Sequence, residues 1–169
     1  MNYRGVLLAT AGLLLLGGCA SSGQTLKASP PKTKLSGFKS VVINVTSSVP
    51  DSSRETFQLE SMIVSTLNSQ KLFQGVTGKS AGGNGDLLVD ANISDLRRVS
   101  SGARVMLGAF AGRGNMTVDV KLVDTRSGET VGSFSSQGTS SGGTVFSGTT
   151  DQAVELASRQ IVEFLRQNS

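Results

Sequence analysis

From residue 40 onward the chain alternates apolar and polar positions in short runs and twice gives way to a helical spacing. Val41, Ile43 and Val45 alternate with smaller or polar residues and the run stops at Ser47-Ser48-Val49-Pro50, which predicts a strand. Ser52-Ser53-Arg54-Glu55 has capping-box spacing, with Ser52 placed to accept from the backbone and Glu55 to reach back. Phe57, Leu59, Met62, Ile63, Val64 and Leu67 then suit a helix of about four turns. A short segment over 72–76 reads as a further strand, and the glycine-rich residues 78–85 as a loop. Leu87, Val89, Ala91 and Ile93 point one way while Asp90, Asn92 and Ser94 point the other; Met116, Val118, Val120 and Leu122 repeat this opposite Thr117, Asp119 and Lys121. Residues 124–129 make a hairpin turn, with Gly128 available for a positive φ, and 130–135 return as a strand. A Ser, Thr and Gly stretch over 137–149 leads to a last helix, in which Val154, Ala157, Ile161, Phe164 and Leu165 form one stripe and Asp151 sits at the positive end of the dipole. The order β-α-β-β-β-β-α predicts an α+β fold, a largely antiparallel (mixed) sheet with two helices on one face.

Before residue 38 the pattern is different. Met1-Asn2-Tyr3-Arg4 is a positively charged start, and the apolar stretch over 6–16 is too short and glycine-broken to span a bilayer but fits the hydrophobic region of an export signal. The stretch closes on Leu16-Gly17-Gly18-Cys19, which resembles the lipobox of bacterial lipoproteins. In those proteins the cysteine thiol receives a diacylglycerol, the signal is cut just before it, and the new amino group is usually acylated, so Cys19 is the expected site of lipid attachment. The alternative is a secretory peptide whose single cysteine is incidental. The expected organisation is a signal over 1–18, a flexible basic tether rich in Ser, Gly, Pro and Lys over 19–37, and one domain over 38–169. No Asp follows Cys19; Ala20-Ser21-Ser22 points to the bacterial outer membrane, periplasmic side.

The chain has no histidine, which removes the usual general base, the commonest metal ligand and every Ser-His triad. With Cys19 lipidated no thiol remains, so neither a cofactor nor a metal is expected. Gly78-Lys79-Ser80 imitates the end of a phosphate-binding loop, but Phe73 stands where that pattern needs glycine. Gly108, Gly112 and Gly114 precede a strand, against the dinucleotide fingerprint. Asp90 and Asp119 belong to the polar face of neighbouring strands near Lys121, where a solvated face accounts for them without catalysis. The sequence pI of about 9.6 does not signal nucleic acid: the chain carries one Tyr and no Trp, and an exported protein lacks access. Of 16 basic residues, Arg4 leaves with the signal, and the remaining 15 against 12 acidic ones suit anionic envelope lipids or polymers.

Leu96-Arg97-Arg98, the insert running from Gly102 through Arg104, Val105, Met106, Leu107 and Phe110 to Gly112, the strand ending Leu122-Val123-Asp124 and the turn Ser127-Gly128-Glu129 together resemble the bacterial lipoproteins of domain of unknown function 4410. The resemblance covers most of the chain beyond the signal. It implies an envelope lipoprotein and supplies no activity. The insert, residues 102–114, is the candidate contact site: Arg104, Val105, Met106, Leu107, Phe110 and Arg113 place arginines around an apolar run. A strand-to-strand connector normally needs a few residues, so this one is either a lid on the core or an exposed tip for a lipid interface or a partner. The expected partners are the membrane, through the N-terminal lipid, and another envelope protein. The function expected is a non-catalytic interaction or assembly module, with a peptidoglycan- or polysaccharide-binding module, contacting glycan through Asp90, Asn92, Asp119 and Lys121, as the alternative.

Overall fold

A computed structural model describes residues 22–100, 102, 106, 107, 112–141 and 149–169. They form a six-stranded mixed sheet and two long helices. The strands are β1 (Ser22–Ser29), β2 (Ser40–Ser47), β3 (Gly75–Gly78), β4 (Leu87–Arg97), β5 (Asn115–Asp124) and β6 (Thr130–Thr139), in spatial order β1-β6-β5-β4-β2-β3. Helix α1 spans Ser53–Gln70 and α2 spans Thr150–Gln167. β4, β5, β6 and β1 pair antiparallel, whereas β2 pairs parallel with both β3 and β4.

The alternation sets one face of the sheet. Val41, Ile43, Leu87, Val89, Ala91, Ile93, Met116, Val118, Val120 and Leu122 are all buried in one cluster with Leu59, Ile63 and Leu67 of α1 and Val154, Ala157, Ile161 and Leu165 of α2. Leu59, Ile63 and Leu67 recur every four residues and form one row on α1. On the α2 side Phe134 of β6 stacks on Phe164, ring centroids 3.8 Å apart. Thr149 caps α2 by accepting from the Gln152 amide at 3.3 Å, and Asp151 lies in its first turn as expected.

Four expectations need correction. Within the segment read as a tether, Ser22–Ser29 is an edge strand on β6, Pro31 packs on Gly132, the Lys32 amide donates to the Val131 carbonyl, and Leu35 is fully buried. The sequence hides this strand because nearly all its side chains stay exposed and no apolar alternation results. β6 runs on to Thr139, because Ser136 and Gly138 are small where α2 sits against the sheet. The capping box does not form: the Ser52 hydroxyl donates to the Val49 carbonyl at 2.7 Å, and the Glu55 carboxylate turns to Arg98. Phe57 is not core but 68 % exposed, since it lies two residues from both Glu55 and Leu59 and so points off the buried stripe.

The glycine-rich loop has a topological task. β3 and β4 both run parallel to β2 on its two sides, so residues 79–86 must cross over β2. A Cβ on Gly85 would sit 2.8 Å from the backbone of Val41 and Val42, which fixes glycine at the crossing. The loop is held by the Ser80 amide and hydroxyl, both donating to the buried Glu60 carboxylate, and by the Asp86 amide donating to the Ser40 carbonyl. No phosphate cradle forms there: the Ser80 amide and hydroxyl are already engaged within the fold.

Candidate interaction surfaces

The sheet face turned away from the helices is polar over two rows that cross β2, β4, β5, β6 and β1, next to an apolar row of Val42, Leu88 and Val123. Strand register puts Asp90 opposite Lys121 and Lys121 opposite Ser133; the next row runs Thr46, Asn92, Asp119, Ser135 and Lys27. The four residues singled out for glycan contact, Asp90, Asn92, Asp119 and Lys121, are thus two directly opposed pairs. The Asn44 amide donates to Asp90 at 2.7 Å, the Ser135 hydroxyl donates to Asp119, and Asn92 exchanges hydrogen bonds with Ser48 while accepting from Thr46 at 3.3 Å. Farther along, Asn115 donates to Asp95 at 3.0 Å and Gln24 to Gln137 at 2.8 Å.

These bonds bear on chemistry. Asp90 and Asp119 already accept from neighbouring side chains, which engages both carboxylates in ordering this surface. A shallow depression of about 320 Å³ lies over Asp119, Lys121, Ser133, Ser135 and Lys27. Asn44, Ser133, Ser135 and Lys27 complete this face and were not singled out in the sequence. The signal for Asn44, Ser133 and Ser135 was their polar alternation with Ile43 and Phe134, whereas Lys27 joins the face only through the pairing of β1 with β6.

The second surface is the connector between β4 and β5. Met106 and Leu107 are helical and respectively 83 % and 58 % exposed, and Arg113 is exposed. Arg104, Val105 and Phe110 lie outside the described residues, as does Cys19. At the base of the connector Gly112 has φ +81° and the Arg97 guanidinium lies against its backbone, where a Cβ would come within 2.8 Å.

Arg98 ties the end of β4 to the start of α1. Its Nε donates to Glu55 at 3.1 Å and its Nη2 to the Asp51 and Pro50 carbonyls at 2.9 and 3.3 Å. Burial, the largest single influence on Glu55, raises its pKa, but the Arg98 hydrogen bond, the residue's own backbone N–H and the charges of Arg98 and Arg54 together carry it below the ordinary carboxyl value. Among the described residues no group of three or more His, Cys, Asp or Glu is placed to hold a metal ion, and no helix is long and apolar enough to cross a membrane.

Comparison with solved structures finds PelC from Paraburkholderia phytofirmans, a dodecamer in two crystal forms. Both align with a TM-score of 0.57 over 85% of this chain and 97% of PelC, at 18% and 17% identity, which establishes a shared fold. A protein of Xanthomonas campestris from the family DUF330 aligns at a TM-score of 0.48 and 12% identity over 76% of this chain and 81% of its own. No curated protein matches the chain. The family model described as Domain of unknown function (DUF4410) matches residues 46–144, from the end of β2 to beyond β6 and so more than half of the chain, and the protein belongs to that family.

Proposed function

We propose that the protein is a lipid-anchored envelope lipoprotein, held at the periplasmic side of the outer membrane through Cys19, and that it acts as a non-catalytic interaction module. The observation that carries the interaction role is the broad polar sheet face, whose side chains are fixed by one another and remain uncovered across β4, β5, β6 and β1. Such a face offers directed donors and acceptors at the ~4.8 Å spacing of strands. The structurally similar PelC is a dodecamer, which makes a further copy of this chain the first protein partner to test. The second reading is glycan binding. It is favoured by the depression over Asp119, Lys121 and Ser135, whose carboxylate, ammonium and hydroxyl groups match sugar hydroxyls.

The anchor and the partner are tested together in cells. Cys19→Ala should abolish fatty-acid labelling and block cleavage by the lipoprotein signal peptidase; a variant still cut after Gly18 and still membrane-bound overturns the anchor. A photoreactive residue at Ser135 should crosslink to protein, this chain included. Recovery of glycan fragments instead promotes the second reading.

A further inference from the structure

The sheet end that carries the β4–β5 connector also receives the N-terminus. Ser22 pairs with Thr139, Thr139 with Asn115, and Asn115 with Arg97. This row crosses β1, β6, β5 and β4, about 14 Å at ~4.8 Å per strand step. Cys19 stands three residues before Ser22, a reach of at most ~11 Å even in a fully extended chain. A lipid on Cys19 therefore keeps the bilayer surface close to this row. Met106 and Leu107, both exposed, belong to the connector that leaves the same row at Arg97 and re-enters it at Asn115.

The charges at this end favour the same neighbour. No acidic residue occurs between Asp95 and Asp119 in the sequence. Arg98 is paired with Glu55 and Arg54 with Asp151, whereas Arg97 and Arg113, both exposed, take no part in the ion pairs found among the described residues. Asp95, the nearest acid along the chain, accepts from Asn115. Exposed apolar side chains flanked by exposed cations that are not held in ion pairs are the composition of an interfacial contact with anionic phospholipid.

We propose that this end of the molecule is a second membrane contact, with Met106 and Leu107 entering the headgroup region of the leaflet that holds the Cys19 lipid and Arg97 and Arg113 meeting its phosphates. The inference rests on lipidation at Cys19. It goes further in giving the domain a fixed orientation, with the β4–β5 connector toward the bilayer and the β5–β6 turn away from it.

The lipid consumes the thiol of Cys19, so a cysteine introduced by Leu107→Cys is the only free one and accepts a nitroxide label. Ser127→Cys, in the turn at the opposite end, is the control. In the full lipidated protein on phosphatidylethanolamine and phosphatidylglycerol vesicles, the label at Leu107→Cys should collide more with dissolved oxygen than with a water-soluble nickel chelate, and the label at Ser127→Cys the reverse. Adding Arg97→Glu with Arg113→Glu should shift the Leu107→Cys label toward the water-like ratio. A water-like ratio at Leu107→Cys in protein that still floats with the vesicles overturns the second contact and leaves the anchor standing. Protein that no longer floats overturns both. Shielding of the label from both reagents identifies a protein contact and overturns the second contact alone.

Discussion

Arg98 and Glu55 show how much one exposed-to-buried pair decides locally. Glu55 is 7 % exposed, and Arg98 supplies both its counter-charge and donors to the carbonyls that lead into α1. Arg98→Ala should lower stability by about 1–2 kcal/mol, short of the full loss for a buried pair because the guanidinium is itself partly solvated. Calorimetry should find the melting temperature down by several degrees. The pH dependence should also weaken. With Arg98 present, the folded pKa of Glu55 lies below its unfolded value, so its contribution is present above the unfolded value and is lost as pH falls through the folded one. Without Arg98, burial is opposed only by the residue's own backbone N–H and the charge of Arg54, so the folded pKa should rise and the stability lost on acidification should shrink. An unchanged pH profile would show that Glu55 is not governed by Arg98. This pair was not legible in the sequence, where Glu55 had a local use as a capping-box partner and nothing marked Arg98, far along the chain, as its long-range competitor.

At the scale of elements, strands β4 and β5 were legible because each has one wet and one dry face, and the side-chain period of two records that directly. β6 beyond Ser135 was not, and the Gly23 end of β1, a strand otherwise exposed, shares its reason. Gly23 and Gly138 are paired across β1 and β6 and both lie under α2. A Cβ on Gly138 would fall 2.1 Å from the Ala153 carbonyl oxygen, and one on Gly23 would meet Gln160 at 2.6 Å. Where a helix backbone sits this close to a sheet, the strands carry glycine and serine in place of large apolar residues, and a dry face reads as a loop. Gly138→Ala should therefore destabilise the fold by about 1–3 kcal/mol, as overpacking against backbone does. Gly75→Ala, where a Cβ meets nothing within 4 Å, is the matched control and should melt close to the unsubstituted protein. Equal melting of the two variants would mean that α2 stands farther from β6. The candidate face was legible in part for the same reason that β4 and β5 were. Asp90, Asn92, Asp119 and Lys121 alternate with core residues, whereas the contributions of β1 and β2 depended on strand order, which periodicity does not encode.

For the whole molecule, the fold begins earlier than the polar composition of residues 20–39 implies. Lys27 sits in a strand paired with β6, and the following chain reaches buried Leu35, whose amide donates to the Asn168 carbonyl at 2.8 Å after α2. Trypsin should accordingly cut slowly at Lys27 in the native protein, at a rate that rises with denaturant. Rapid cleavage there with the rest of the domain intact would restore the picture of a loose tether.

The placement of β1 also has a mechanical meaning. Its N-terminal end lies at the sheet end nearest Cys19, and its C-terminal end leads to Pro31 and Leu35 at the far side. A pull on residue 19 along the strand axis loads the β1–β6 hydrogen bonds in shear, all sharing the force at once. Attachment at the Ser29 end and perpendicular to the strand would instead peel them one after another. A load applied at residue 19 along the strand axis is thus met in the geometry that resists rupture.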